Sequence, residues 1–307
     1  MKKYASLFVL PLVFSFFLSA CGTLKNQSSI KSPVNTDSAS LTESAHATFE
    51  KAAPQALTEI EAKQRSAQIS NVLYSLWFGL DKTHEDFAGK VSIQFELNAK
   101  AKAEVGEVFL DFSQGSLQSI VVNGTTLEDL GNPIEIRAEK NPSKDFNRYD
   151  GNHIHFKMSE LYAGTNRIQI AFRHAYDHNG HGLHRFVDPA DHAVYLYSDL
   201  EPYYAHEIFP DFDQPDLKAK FDVTVVAPKT WQVVTNTLEK TPPTETENET
   251  KTWVFPQSLP LSTYIFALIA GDYTHWSADA SGIPMRLFAR KSLKKYIDAD
   301  EWFDISR

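Results

Sequence analysis

The chain has 307 residues, of which 42% are apolar, enough for one large or two modest domains with a true core. Its formal net charge is −9 with acids and bases interspersed, and without a basic stripe the sequence excludes a nucleic-acid surface. A single cysteine, Cys21, excludes an internal disulfide, so stability has to come from packing.

The first segment reads as targeting sequence. Lys2 and Lys3 precede an apolar run from Leu7 to Leu18, which is too short to span a bilayer comfortably. The run ends in "LSAC", Leu18 to Cys21, which resembles a bacterial lipobox. A chance cysteine in an ordinary signal peptide is the alternative. The lipobox reading makes residues 1–20 a lipoprotein signal peptide and Cys21 the lipidated residue, anchoring the protein to a membrane. Gly22, where an Asp would signal inner-membrane retention, points to the outer membrane of a bacterial cell envelope, facing the periplasm or exterior.

Residues 21–40 are rich in Ser, Thr and Asn without apolar periodicity and read as a disordered tether. Residues 41–71 are rich in Ala, Glu, Gln and Lys, and Pro54 suits a first helical turn; one or two helices forming a stalk are expected. From Val72 the period becomes two. In "KVSIQFELNAKA", Val91, Ile93, Phe95 and Leu97 alternate with Ser92, Gln94 and Glu96. About ten further short runs follow, among them "EVFLDFS", "NHIHFKM", "RIQIAFRH", "AVYLYSD" and "KFDVTVVAP". Asn123-Gly124 after a β run signals a hairpin. Residues 72–290 are therefore expected to be an all-β domain, a sandwich or stacked sheets. The segment "SLKKYIDADEWFDISR" reads as helical, and residues 291–307 are expected to begin a linker helix toward a further domain.

Several residue patterns invite a chemical reading. His206-Glu207 is the first half of H-E-x-x-H, the zinc signature, but the position of the second histidine is Pro210, which would break the required helix. His174, His178, His181 and His184 fall close together, the first at a strand end and the others in a Gly/Asn loop; surface histidines are expected, with weak metal binding as the alternative. Asp211, Asp213 and Asp216 could hold calcium or cap a turn. The sequons at 123–125 and 248–250 are so only in form, given the lipobox.

The stretch "LYSDLEPYYAHEIFPDFDQPDLKAKFDVTVVAP" resembles a signature segment of the aminopeptidase N family of zinc aminopeptidases. Glu201-Pro202, Ala205, Phe209-Pro210, Phe212-Asp213, Pro215, Lys218-Ala219 and Phe221 match it in order. "GHGLHRFVDP" upstream and "WQVVTNT" and "PLSTYIFALIAGDY" downstream resemble flanking motifs of the same N-terminal domain. The resemblance runs from about Val72 to Arg307. It departs at His206, where Arg is common, at Asp199, where Gln is common, and at Asp211, where Cys is usual.

The resemblance implies the family's N-terminal domain of stacked, mostly antiparallel sheets. It implies that Glu201 binds the free α-amino group of a peptide substrate. In the full family a following domain supplies G-x-M-E-N and then H-E-x-x-H, whose histidines hold the zinc with a downstream Glu; this sequence contains neither motif. The expectation is a substrate-flanking domain with no catalytic residue and no metal of its own, inactive alone. The alternatives are a free-standing, lipid-anchored domain that binds peptides or proteins, and a metal-capturing lipoprotein resting on the histidine loop.

Overall fold

In the computed structural model, residues 57–100, 107–131, 147–246 and 248–307 are described. The expectations for the signal peptide, Cys21, the tether and most of the stalk lie outside them.

The strand β1 (Ile69–Gly79) shows how the sequence makes the core. Val72, Tyr74, Leu76 and Phe78 are buried, while the residues between them are partly exposed, as the two-residue period of a half-covered sheet requires. β1 pairs antiparallel with β2 (Asp86–Leu97) and parallel with β10 (Ala219–Pro228). The sheet extends through β7 (Gly164–Ala175), β4 (Ser116–Val122) and β5 (Thr125–Leu127) on one side. On the other side it extends through β13 (Thr250–Phe255) and β12 (Thr244–Thr246), giving eight strands. Gly89 on β2 lies beneath the Phe172 ring of β7; a Cβ there would come within 2.1 Å of the ring, so the close approach requires glycine.

A second, four-stranded sheet has the order β11 (Gln232–Thr235), β14 (Leu268–Gly271), β9 (Val194–Asp199), β8 (Gly182–Val187). Two two-stranded antiparallel sheets complete the described strands: β3 (Glu107–Asp111) with β6 (His153–Lys157), and the hairpin of β15 (Tyr273–Ala280) with β16 (Ile283–Arg290). One continuous apolar cluster joins the inward faces of β1, β2, β7 and β10 to Val108, Leu110, Ile154, Phe156, Leu196, Leu268 and Ala270 from the smaller sheets. The all-β expectation holds. The Asn123-Gly124 hairpin also forms: both residues have positive φ, 50° and 87°, and they connect β4 directly to β5.

Three features differ from the sequence reading. β1 starts at Ile69, three residues before the expected Val72. The helix α1 (Glu59–Gln68), within the stretch read as a stalk, packs on the domain with Arg65 and Gln68 buried. Its start is a reciprocal cap, in which Thr58 N–H donates to Glu61 Oε2 (2.8 Å) and Glu61 N–H to Thr58 Oγ1 (3.3 Å). The C-terminal segment divides into a 3-10 stretch (Lys291–Tyr296) and α2 (Ala299–Ser306), which Asp298 caps by accepting from Glu301 N–H. Among the described residues no helix is long and apolar enough to cross a membrane.

Candidate functional site

Glu201 stands two residues past the end of β9. Leu200 before it is buried, and its carbonyl accepts the Tyr204 N–H at 3.0 Å, which closes a turn over 200–204. That turn leaves Glu201 and Pro202 exposed and Tyr203 and Tyr204 half-buried. Among the described residues the Glu201 carboxylate has no hydrogen-bond or ion-pair partner.

The loop behind Glu201 runs through the protein interior. Residues 205–214 are all buried. Phe209 packs edge-on against Tyr74 and Phe266 (5.9 and 5.3 Å between centroids), and Phe212 against Phe95 (5.3 Å). The backbone of Asp211 forms a two-way bridge with Asp111 of β3, and Phe212 N–H donates to the Tyr74 hydroxyl at 2.9 Å.

Polar groups fix the loop as firmly as the rings do. Asp213 Oδ2 accepts the His206 N–H (3.2 Å) and lies 2.8 Å from His206 Nδ1, while its Oδ1 accepts the Thr263 hydroxyl at 2.7 Å. Asp213 N–H in turn donates to Asp111 Oδ2, and Asp111 receives both guanidinium nitrogens of buried Arg65 at 2.6 and 3.2 Å. The guanidinium lies 4.2 Å from the Phe109 ring centroid. Burial opposes its charge, but Asp111 more than compensates and holds the pKa of Arg65 above its ordinary value. Burial drives the Asp211 carboxyl in the other direction, well above the usual carboxylate range, reinforced by Asp213 and Asp111. Among the described residues neither oxygen of the Asp211 carboxyl has a hydrogen-bond partner. Burial likewise raises the Tyr203 hydroxyl, whose ring packs on His206 at 4.5 Å.

These contacts settle several of the sequence readings. His206-Glu207 belongs to a 3-10 turn (Ala205–Glu207), not to a helix that could carry a second ligand. A second His-Glu pair, His84-Glu85, lies before β2 and has Ala88 in the place of a second histidine. The loop histidines are dispersed. His174 lies 2.7 Å from the Ser113 carbonyl, His178 3.2 Å from Glu85, and His181 stacks on Tyr204 at 4.1 Å. His184 was expected in a loop but sits on β8, opposite Tyr197. Of the three aspartates, Asp211 and Asp213 belong to the buried network, and Asp216 accepts from Ser66 and Gln214.

Arg65 and Asp111 are the residues that sequence reasoning missed. Nothing in a Glu/Gln/Lys-rich helix distinguishes one arginine as buried, and its partner lies 46 residues away.

Residues 70–265 match the family model described as Peptidase M1 N-terminal domain, and the chain belongs to that family. It is 30% identical over 257 residues to Aminopeptidase N of Streptomyces lividans, covering 82% of this chain and 27% of that protein. It is 30% identical over 211 residues to Probable M1 family aminopeptidase 2 of Encephalitozoon cuniculi, covering 67% of this chain and 22% of that protein. To Putative aminopeptidase-2 of Caenorhabditis elegans it is 26% identical over 213 residues, covering 66% of this chain and 11% of that protein. The chain thus spans between 11% and 27% of the length of these relatives.

Proposed function

We propose that this chain is the substrate-flanking domain of a membrane-anchored zinc aminopeptidase, in which Glu201 receives the free α-ammonium group of a peptide and Cys21 carries the lipid anchor. The observation that carries the reading is the state of Glu201. It is an exposed carboxylate without a partner among the described residues, held just past the end of a strand by a turn that leads into the buried run 205–214. An anion fixed beside the peptide backbone discriminates a peptide's N-terminus from its interior, because only the terminal backbone nitrogen is an ammonium able to neutralise it. The names of the relatives support the reaction class.

The residues near Glu201 do not fit the catalytic zinc of such an enzyme. Neither His-Glu pair has a second histidine at the required spacing, and His206 is already held by Asp213. A zinc hydrolase needs three protein ligands and an open position for water, and the residues around Glu201 do not supply them, so no step of peptide hydrolysis is assigned to this surface, whose proposed role is recognition.

The test is calorimetric titration of the chain with a free tripeptide and with its N-acetylated form. One exposed ion pair contributes roughly 0–1 kcal/mol, far below the ~4 kcal/mol of a millimolar complex. The chain alone should therefore show no saturable binding, with Glu201 intact or as Glu201→Ala. Micromolar binding that is lost in Glu201→Ala would replace this reading with that of a free-standing peptide-binding module. One feature favours that second reading: an open depression of about 410 Å³ lined by Phe186, Tyr195, Tyr197, Tyr273, Phe288 and Arg290, an aromatic surface suited to an extended peptide.

A further inference from the structure

We propose that Asp150, His153 and His155 form a binding site for one divalent transition-metal ion of the zinc type, on the outer face of the β3–β6 pair. The site would be separate from the recognition role of Glu201.

The register of the two strands builds the site. His153 and His155 are two residues apart on β6, so both side chains leave the same face. Their cross-strand partners are Asp111 and Phe109 of β3, and the residues between, Val108, Leu110, Ile154 and Phe156, fill the core on the other face. Asp150 arrives from the turn before β6. Its Oδ1 accepts the N–H groups of Asn152 (2.8 Å) and His153 (2.7 Å), which fixes the carboxylate and directs Oδ2 to the histidines.

The spacing of the three side chains suits a shared ion, and the hydrogen bond that His153 Nδ1 makes to Asp150 Oδ2 is a long one. Asp150 Oδ2 lies 3.4 Å from His153 Nδ1 and 3.6 Å from His155 Nε2, and one ligand atom from each of the three residues falls within 4.8 Å of the others. A good N–H···O bond is shorter, about 2.7–3.2 Å. The edge of a coordination tetrahedron with bonds of about 2.0–2.2 Å is about 3.3–3.6 Å. Two imidazoles and a carboxylate are a zinc-type donor set, leaving a fourth position for water.

The nitrogens that would not ligate also face carboxylates. His155 Nδ1 is 3.3 Å from Glu107 Oε1, and His153 Nε2 is 3.8 Å from Asp111 Oδ1. A carboxylate behind each imidazole is the usual outer arrangement of a histidine-bound metal, setting the tautomer and raising ligand basicity. His155 Nδ1 is buried and makes no hydrogen bond, so rotating Glu107 into line on metal binding would satisfy it. Asp150, Glu107 and Asp111 bring three carboxylates to the site, while the neighbouring cations Arg65 and Arg148 are paired with Asp111 and Glu160, so the field there favours a cation.

The test uses the full chain carrying Cys21→Ser throughout, so that its only thiol cannot bind metal. Zinc is titrated against a chromophoric chelator, and cobalt(II) is added separately to read coordination from its visible spectrum. The expected result is one equivalent of zinc bound with micromolar affinity or tighter, and tetrahedral cobalt absorption. Asp150→Asn keeps the Oδ1 acceptor for the turn and should weaken binding at least about tenfold, the lower end of what loss of even an outer partner costs. His155→Gln should do the same, and Glu107→Gln, at a half-exposed position, should weaken binding by about 10–100-fold. His178→Ala with His181→Ala should leave binding unchanged. No micromolar zinc binding, or binding that survives Asp150→Asn and His155→Gln, or that falls only in the His178/His181 variant, overturns the proposal.

Discussion

Asp211 gives the sharpest test of the physics beneath the candidate site. Its carboxyl is fully buried, has no hydrogen-bond partner among the described residues, and is held well above the usual carboxylate range by burial and by Asp213 and Asp111. An acid whose folded pKa is raised adds stability that is fully present below its unfolded pKa of about 3.9 and is lost as pH rises through the folded value. The loss is about 1.4 kcal/mol per pH unit across that window. Replacing the carboxyl by an apolar group of the same size removes this slope. Asp211→Cys does so, and cysteine behaves as a small hydrophobe when buried. Near pH 3.5 the variant should already gain about 1–3 kcal/mol, the cost of an orphaned buried polar group. From pH 4 upward the gap should widen by about 1.4 kcal/mol per unit, reaching at most about 4 kcal/mol more at pH 7. Urea denaturation of both proteins under reductant, at half-unit steps from pH 3.5 to 7.5, measures the two curves. Parallel curves between pH 4 and 7 would refute the reasoning, because they would mean that Asp211 is ionised in the folded protein and neutralised by Arg65.

Other outcomes follow from the same structure. Arg65→Met leaves Asp111 buried without its cation and should cost about 3–5 kcal/mol, read as a fall in melting temperature of about 10 °C; an unchanged melting temperature would show that α1 does not hold the network. Cys21→Ser should release the protein from the membrane fraction, since stable anchoring rests on its lipid; a variant that still pellets with membranes contradicts the lipobox reading. The chain alone should not hydrolyse alanyl anilide, and hydrolysis abolished by a chelator would show that it holds a complete zinc peptidase site.

The strands were legible because one face of each is buried and the other is not. Val91, Ile93, Phe95 and Leu97 carry that signal without help from anything distant in sequence, and all four are buried. β8 escaped notice because "GLHRFV" has no alternation: Gly182 and Leu183 are both buried, and the next three residues are all intermediate. The metal-ligand cluster left a readable trace in His153-x-His155 on a strand, with Asp150 just before it, but the denser run from His174 to His184 competed for the reading. Density was the wrong criterion. Strand geometry converges two histidines at i and i+2, whereas of the four histidines from 174 to 184 only His178 and His184 meet, and each of the four also has a partner elsewhere. The Arg65–Asp111–Asp213 chain was illegible for a different reason. Its members come from a helix, a strand edge and a loop, and only the folded topology brings them together.

That chain also explains how one exposed carboxylate can take part in recognition at all. A flexible glutamate loses much of an ion pair's benefit to the entropy of ordering the segment that carries it. Here the segment is already ordered. The loop from Ala205 is fixed by Phe209, Phe212 and Asp213, and the turn over 200–204 is closed by the Leu200 carbonyl. Only the Glu201 side chain itself remains to be restrained on binding. What the isolated domain lacks is desolvation: Glu201 faces water on the open side, where a charge pair contributes little. A second surface closing over Glu201 would exclude that water and strengthen the same pair several-fold. Removing the carboxylate from such a closed site would leave a buried ammonium unpaired, at a cost of about 3–5 kcal/mol. The same Glu201→Ala substitution should thus be silent in the chain alone and severe in any assembly that covers this edge of β9.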